Sequence, residues 1–476
     1  MPMETPPPKP STSIKMVNKK LQVKLHPQRR TSRTRCNQTD SKITGEADNP
    51  SDSDDDKAEP EDSDDSDYNP TDDEMSSDDD LDTESEMNYK LNSKATPDEE
   101  KQFMMSESAL AELLSVCRYC SGEAVALIKN TRGSMVVINT VWLNGHVSIW
   151  KSQSSHNILP WDNLMTAIAI LCCGSNSSKV LQMFRHLNIQ TISSRTYNRL
   201  QTLYVSPSAI MAWDAEQTAL LTDLYDKEVI AGGDARCDSP GYSAKYGLYT
   251  IMDLETSKIL DFQFVQCHEV KGSAHMELEG LKRSIRYLED TMHLKIKDLV
   301  TDRHSSIKKF MRTEQGRTNH LFDVWHVAKG ISKKLEAAAK KSGSEPVHRS
   351  VPYKRLKDIV ESRYLLVDVP KLSPVYQTYS CEVFHSLLNH FCPKSTHFFY
   401  PTKISRLSIA ALHYDESSGR QQATSKTGEQ RFSMCYPKAT KGTEAVVKPK
   451  KTAPTFGKYL NNIEDNLTAP DMHLYI

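Results

Sequence analysis

The sequence lacks any apolar run long enough to cross a bilayer. The longest, around Met165–Cys173, falls well short of the roughly 20 residues a spanning helix needs. Met1–Pro10 is polar and proline-rich, with no apolar signal core. The ten cysteines show no regular spacing apart from Cys117-x-x-Cys120 and the adjacent Cys172 and Cys173. These absences argue against a disulfide-framed secreted module and against a membrane partner. An intracellular, reduced protein is expected, its cysteines serving as ligands or core residues. Internal repeats and a clear coiled coil are also missing. Aliphatic residues are nearly absent from residues 1–105, which have little to offset the entropy of ordering and are expected to form a disordered tail.

What is present is unevenly charged. The net charge of −2 conceals +8 over residues 1–45, −20 over 46–86 and +10 over 87–476. The acidic block contains Ser51-Asp-Ser-Asp-Asp-Asp56 and Ser76-Ser-Asp-Asp-Asp80. It reads first as a solvated tail and second as a mimic of nucleic acid. The basic remainder favours a polyanionic partner over a small-molecule substrate, although +10 over 390 residues is a weak argument.

At 476 residues the chain has room for two or three domains. Residues 106–156 predict a short helix, a Cys-x-x-Cys knuckle and a small hairpin through the alternating stretch Met135–Val141. Residues 157–227 are helical. There Ser178–Leu187, a turn over Asn188–Ile192 and Ser193–Gln201 suit a helix-turn-helix, whose second helix would present Arg195, Tyr197 and Arg199 to DNA. An ordinary three-helix packing unit has the same spacing. Residues 228–435 form the candidate core, with a polar break near 342–350. Residues 436–476 read as a basic, loosely ordered tail carrying Lys448-Pro-Lys-Lys451.

The core stretch alternates strand and helix patterns. Val229–Asp234, Tyr246–Met252, Ile259–Gln266, Leu294–Thr301 and His320–Val324 read as strands. Ala274–Leu288, a segment capped by Ser305 or Ser306, and His326–Lys341 read as helices. The order β-β-β-α-β-α-β-α predicts an α/β (α+β) fold of the ribonuclease H type, a mixed five-stranded sheet flanked by helices. In that fold the first and fourth strands are neighbours, so Asp234 and Asp302 meet, and a later helix supplies a third acid. Such carboxylates suit two Mg²⁺ or Mn²⁺ ions about 3.5–4 Å apart, because these hard cations prefer oxygen ligands. A lone strand-end aspartate is commonly just a cap; the joint placement of these two raises them above that.

Gly233-Asp-Ala-Arg-Cys-Asp-Ser-Pro-Gly-Tyr-Ser-Ala-Lys-Tyr-Gly247, Thr301-Asp-Arg-His304 and Asp323-Val-Trp-His-Val-Ala-Lys329 resemble a transposase-like group common in fish and invertebrate genomes, within the DDE/ribonuclease-H (retroviral integrase) superfamily. The resemblance runs from about Ser106 to Lys450. It implies a nuclear protein that cuts and joins DNA by metal-dependent phosphoryl transfer, working as a homo-oligomer where two ends must be joined. Asp234 matches the first catalytic acid, with Asp238 its competitor four positions on, and Asp302 matches the second. The segment Thr378–Leu388 matches the third, making Glu382 the candidate, although a glutamate at a helix start is also a common cap. The related proteins carry a longer insertion between the Asp323–Lys329 motif and the last acid.

Four residues remain as accessory candidates near the acids: Asp238, His304, His326 and His385. Cys117-Arg-Tyr-Cys120 is half of a zinc knuckle. The resemblance implies a second ligand pair about 20 residues on, where this chain offers only His146. Zinc on Cys117, Cys120 and His146 is therefore weighed against a degenerate ribbon held by its apolar core. Two rival functions stay open: a domesticated descendant that binds DNA or chromatin without cutting, and an RNA-directed nuclease on the same fold.

Overall fold

The computed structural model describes residues 101–453, apart from 143–144, 157–158, 239–243, 342–350, 395, 426 and 437–444. The basic and acidic blocks of residues 1–100, the polar break at 342–350 and the end of the tail lie outside the described residues.

Helix α1 (Glu107–Leu113) begins where Ser106 Oγ accepts the Ala109 amide at 3.3 Å. A three-stranded antiparallel sheet follows, β1 (Ala124–Arg132), β2 (Met135–Trp142) and β3 (Val147–Lys151), one strand more than the expected hairpin. The third strand turns back at Gly145 and pairs antiparallel with β2 from Val141↔Val147 to Val137↔Lys151, with Ser148 and Trp150 on its less exposed side. Two-residue strands β4 (Ser155–His156) and β5 (Leu159–Pro160) pair next. Asn163 ties this module to the helices: its Oδ1 accepts the Ser134 amide at 2.8 Å, and its Nδ2 donates to Arg132 O at 2.8 Å.

The helical region comprises α2 (Trp161–Cys172), α3 (Ser177–His186), α4 (Ser194–Leu200) and α5 (Ser206–Asp223). Asn176 caps α3 and Ser193 caps α4, their side-chain oxygens accepting first-turn amides. Gly174 ends α2 at φ +68°, and an added Cβ would lie 2.2 Å from His390 O, so the turn is built on glycine's freedom.

The five-stranded sheet holds β6 (Glu228–Cys237), β7 (Tyr246–Asp253), β8 (Lys258–Gln266), β9 (Lys295–Thr301) and β10 (Asn319–Phe322), in the order β10-β9-β6-β7-β8. β6, β7 and β8 pair antiparallel; β9 runs parallel to β6, and β10 parallel to β9. α6 (Met276–Ile285) and α7 (Ser305–Thr313) cover one face, their Leu281, Ile285, Ile307 and Phe310 packing with Ala231, Tyr249, Ile251 and Leu299. The remaining helices are α8 (Val324–Lys341), α9 (Val351–Val360), α10 (Arg363–Asp368), α11 (Tyr379–Phe391) and α12 (Tyr400–Ser417). α11 and α12 cover the other face, with Phe384, Leu388 and Ile409 in one core with Leu248, Met252 and Trp213 of α5. Every residue of β7 is buried, because helices cover both its faces.

The expected strands are all present within a few residues of their predicted ends. α8 starts at Val324, two residues before the expected His326, because the Asp323 carboxylate caps it. β11 (Phe432–Cys435) and β12 (Val446–Pro449) pair antiparallel across the boundary expected at residue 435, so part of the supposed loose tail is tied to the chain before it.

Candidate active site

Asp234 lies on β6, the middle strand, registered with Thr250 of β7. Residues so paired point to the same face, here the face covered by α11. His385 of α11 sits over both, its Nδ1 3.3 Å from Asp234 Oδ2 and its Nε2 3.1 Å from Thr250 Oγ1. The Ala235 amide donates to Asp234 Oδ1 at 2.8 Å. Burial alone would raise the Asp234 pKa. The hydrogen bond and charge of His385, the charge of His326 and the Ala235 amide outweigh it and hold the carboxyl below its usual 3.8.

Glu382 stands one turn before His385 on α11, as the i,i+3 spacing requires. Its Oε1 is 3.1 Å from Nε2 of His326, which belongs to the first turn of α8. Burial pulls His326 down, but the Glu382 hydrogen bond and the charges of Asp234, Asp323 and Glu382 lift its pKa from 6.5 to about 9. A histidine raised on folding contributes stability that is fully present below about pH 6.5 and is lost as pH climbs through about 9. Denaturant melts of the metal-free chain between those pH values should therefore show declining stability. His326→Gln should flatten that decline.

Asp302 follows directly on β9, whose Val300 is registered with Gly232 of β6. Two residues beyond that pair on each strand stand Asp302 and Asp234, so the parallel register brings them alongside. On the other face, under α6, lies Tyr249, only 1% exposed, whose hydroxyl has no hydrogen-bond partner among the described residues. An added Cβ on Gly233 would lie 2.5 Å from this oxygen, so glycine is required beside Asp234. Burial raises the Tyr249 pKa, and the charges of Glu277, Asp302 and Asp234 raise it further. Glu277, on the first turn of α6, also lies with its Oε2 3.8 Å from His304 Nε2.

Two acid–histidine pairs, Asp234–His385 and Glu382–His326, thus meet on α11, and Asp302 follows the strand next to that of Asp234. Asp238 joins neither pair: its Oδ1 accepts the Lys245 and Tyr246 amides at 3.1 and 3.2 Å, and Lys403 Nζ lies 3.3 Å from its Oδ2. It closes the excursion between β6 and β7. Asp234, Asp302 and Glu382 are not drawn into a tight cage. Among the described residues, the set of three ligand atoms all within 4.8 Å of one another is Cys117, Cys120 and His146.

That second site grows from a tight turn. The Cys117 amide donates to Gly122 O at 2.8 Å, and Ser121 adopts φ +54°. The Tyr119 amide points at Cys117 Sγ at 3.4 Å. His146, just before β3, brings Nδ1 to 3.6 Å from Cys117 Sγ. Tyr119 and Trp142 pack edge-on with the His146 ring. A Cys₂His set of soft and borderline donors can hold a metal ion.

On α4 one expectation needs correction. Arg195 and Arg199 are exposed, but Tyr197 is 2% exposed and packs in the helical core. Residues 195 and 199 share a helix face, whereas 197, two positions from each, points the opposite way with Leu200.

No protein-family model matches the chain, and a search of curated proteins finds no relative.

Sequence reasoning missed Glu277, Tyr249 and Asp323 as members of the site. Glu277 lies in the first turn of an ordinary amphipathic helix, and Tyr249 looks like a routine strand aromatic. The pairing of β7 with β6 sets Tyr249 against Gly233, and α6 packs over that tyrosine through Gly280.

Proposed function

We propose that this chain has a ribonuclease-H-like core and acts as a transposase-like enzyme that cuts and joins DNA strands by phosphoryl transfer. The observation that carries the reading is the strand order β10-β9-β6-β7-β8 with β9 parallel to β6. That register, with Asp234 on β6 and Asp302 just past β9, and the contact of His385 on α11 with Asp234, support the reading. Two hard divalent cations such as Mg²⁺ or Mn²⁺, when bound, would polarise the attacking and leaving oxygens of an in-line displacement. Asp234, Asp302 and Glu382 are the oxygen donors that would hold them. His385 orients Asp234 by bonding both it and Thr250. His326 pairs with Glu382, Nε2 to Oε1 at 3.1 Å, and holds that carboxylate in place.

DNA as partner is supported by the exposed Arg195 and Arg199 on α4 and by exposed Trp325 beside His326, with Lys329 Nζ 4.3 Å above its ring. A flat aromatic under a cation is a stacking surface for a base. No helix among the described residues is long and apolar enough to cross a membrane. We further propose zinc as the ion for Cys117, Cys120 and His146, and a nuclear location.

The test is nicking of supercoiled plasmid, and of candidate terminal repeats, by the full chain with Mn²⁺. Nicking that Asp302→Asn abolishes supports the enzyme. The second reading, a DNA or chromatin binder that does not cut, is favoured by one observation: Asp234 and Glu382 are each already engaged by a histidine. DNA binding without nicking, unchanged by Asp302→Asn, would establish it. In either case Arg195→Ala/Arg199→Ala should weaken binding evenly across sequences. The slope of log K against log salt should flatten by about 2, roughly one unit per lost phosphate contact.

A further inference from the structure

We infer that Asp323 is the positioning residue of this site, one carboxylate that sets His326 and Glu382 against each other by fastening the starts of both their helices. The inference rests on the proposed function only for what the site does. The contact between the two side chains is a matter of this residue's bonds.

Asp323 is 2% exposed, and its two oxygens are divided between two elements. Oδ1 accepts the Trp325 amide at 2.7 Å and the His326 amide at 3.2 Å, capping α8. Oδ2 accepts the Thr378 amide at 2.6 Å and the Thr378 hydroxyl at 2.9 Å. Thr378 is the residue on which α11 begins, and its carbonyl accepts the Glu382 amide at 3.3 Å. The Asp323 amide in turn donates to Thr301 O at 2.9 Å, immediately before Asp302. One buried residue therefore bonds to the backbone of His326, to the residue that starts the helix of Glu382, and to the neighbour of Asp302.

Two further tethers show why such a link is needed. Between β10 and α11 the chain runs through α8, α9 and α10 before returning to the sheet at Leu372, which bridges in parallel to Phe322. Ser373 donates to Phe322 O at 2.9 Å, and the buried Asp368 carboxylate takes Arg303 Nη2 at 2.6 Å and Lys308 Nζ at 2.9 Å. These hold the returning segment against the strand ends. The last link before α11 is Thr378, and Asp323 is what it is bonded to.

The choice of aspartate is itself informative. Asparagine caps a helix as well as aspartate does, so capping α8 alone would not need a carboxylate. Only a carboxylate offers acceptors to both sets of donors. In Asp323→Asn, an oxygen kept at the α8 cap turns the NH₂ group on the Thr378 amide, donor against donor.

The experiment measures the coupling between His326 and Glu382 by a double-mutant cycle of His326→Gln and Glu382→Gln, using denaturant unfolding of the full chain. The cycle is run in the natural and Asp323→Asn backgrounds. A severalfold coupling in the unfolding constant is expected in the first, falling to about 1 in the second. A destabilised control, Leu181→Ala in α3, must leave the coupling intact, which separates positioning from general loss of stability. If Asp323→Asn does not fold, Thr378→Val, which deletes only the hydroxyl donor, must lower the coupling. Coupling unchanged in Asp323→Asn or, failing that, in Thr378→Val overturns the inference. Absence of coupling in the natural chain does so too. Mn²⁺ affinity, read by EPR, is a separate arm. A natural chain that binds no Mn²⁺ refutes the enzyme reading, while the cycle still decides the role of Asp323.

Discussion

Under the proposed function, Asp234→Asn is expected to cut Mn²⁺-dependent nicking by about 10³-fold, the scale on which losing one preorganised electrostatic group slows an enzyme. The substitution is nearly isosteric. The side-chain oxygen can still accept the Ala235 amide, as Oδ1 does at 2.8 Å. What disappears is the negative charge on the middle strand that faces His385 at 3.3 Å and would hold a cation with Asp302. The unfolding transition should stay cooperative, because Thr250 still bonds His385 and the surrounding core is apolar. His385→Ala acts one step away, by freeing Asp234 to turn, and belongs to the milder 10- to 100-fold class of losses from outer-shell partners. Plasmid nicking under single-turnover conditions, with binding measured in parallel, reads both. Activity in Asp234→Asn within tenfold of the natural chain would remove this carboxylate from the chemistry.

The second large effect concerns Cys117. The natural chain is expected to carry about one zinc ion per molecule, and Cys117→Ser close to none, as counted by elemental analysis. Cys117 is 1% exposed and is the member of the set that contacts both His146 and the Tyr119 amide. Serine keeps the volume and removes the thiolate, the donor that makes the set select zinc over harder ions. Complete zinc sites in small domains contribute roughly 10–16 kcal/mol of binding free energy, nearly all of it available to folding. A three-residue set supplies less, yet enough that a chelator should unfold residues 106–151 ahead of the core. Trp142 stands 6.2 Å from the His146 ring, so its fluorescence should change on chelation and not respond in Cys117→Ser. An unchanged spectrum together with a zinc-free natural chain would return the module to a ribbon held by Met135, Ile138 and Trp142 alone.

Much of the core's arrangement could be read locally. β-branched and aromatic runs marked the five strands, because a strand's side chains meet their environment every second residue and leave that alternation in the sequence. Their order placed Asp234 and Asp302 on neighbouring strands, which β6 and β9 are. The i,i+3 spacing on α11 was enough to put Glu382 and His385 on a shared face. Tyr197 was misread because a helix-turn-helix outline was allowed to override helical phase, which sends residue 197 inward. A third strand in the N-terminal sheet was missed because β3 is short and follows a turn whose register depends on pairing.

The sequence alone determined the class of this protein: unequal charge blocks, a mixed five-stranded sheet and acids at two neighbouring strand positions. These follow from composition and from periods of two and 3.6 residues, which are local properties of the chain. Tertiary structure alone decided which histidine faces which acid, that Tyr249 leans on Gly233, and that Asp323 reaches Thr378, 55 positions further along. Such contacts come from how helices seat on a sheet, and a seating distance of a few ångströms has no period that a sequence can carry.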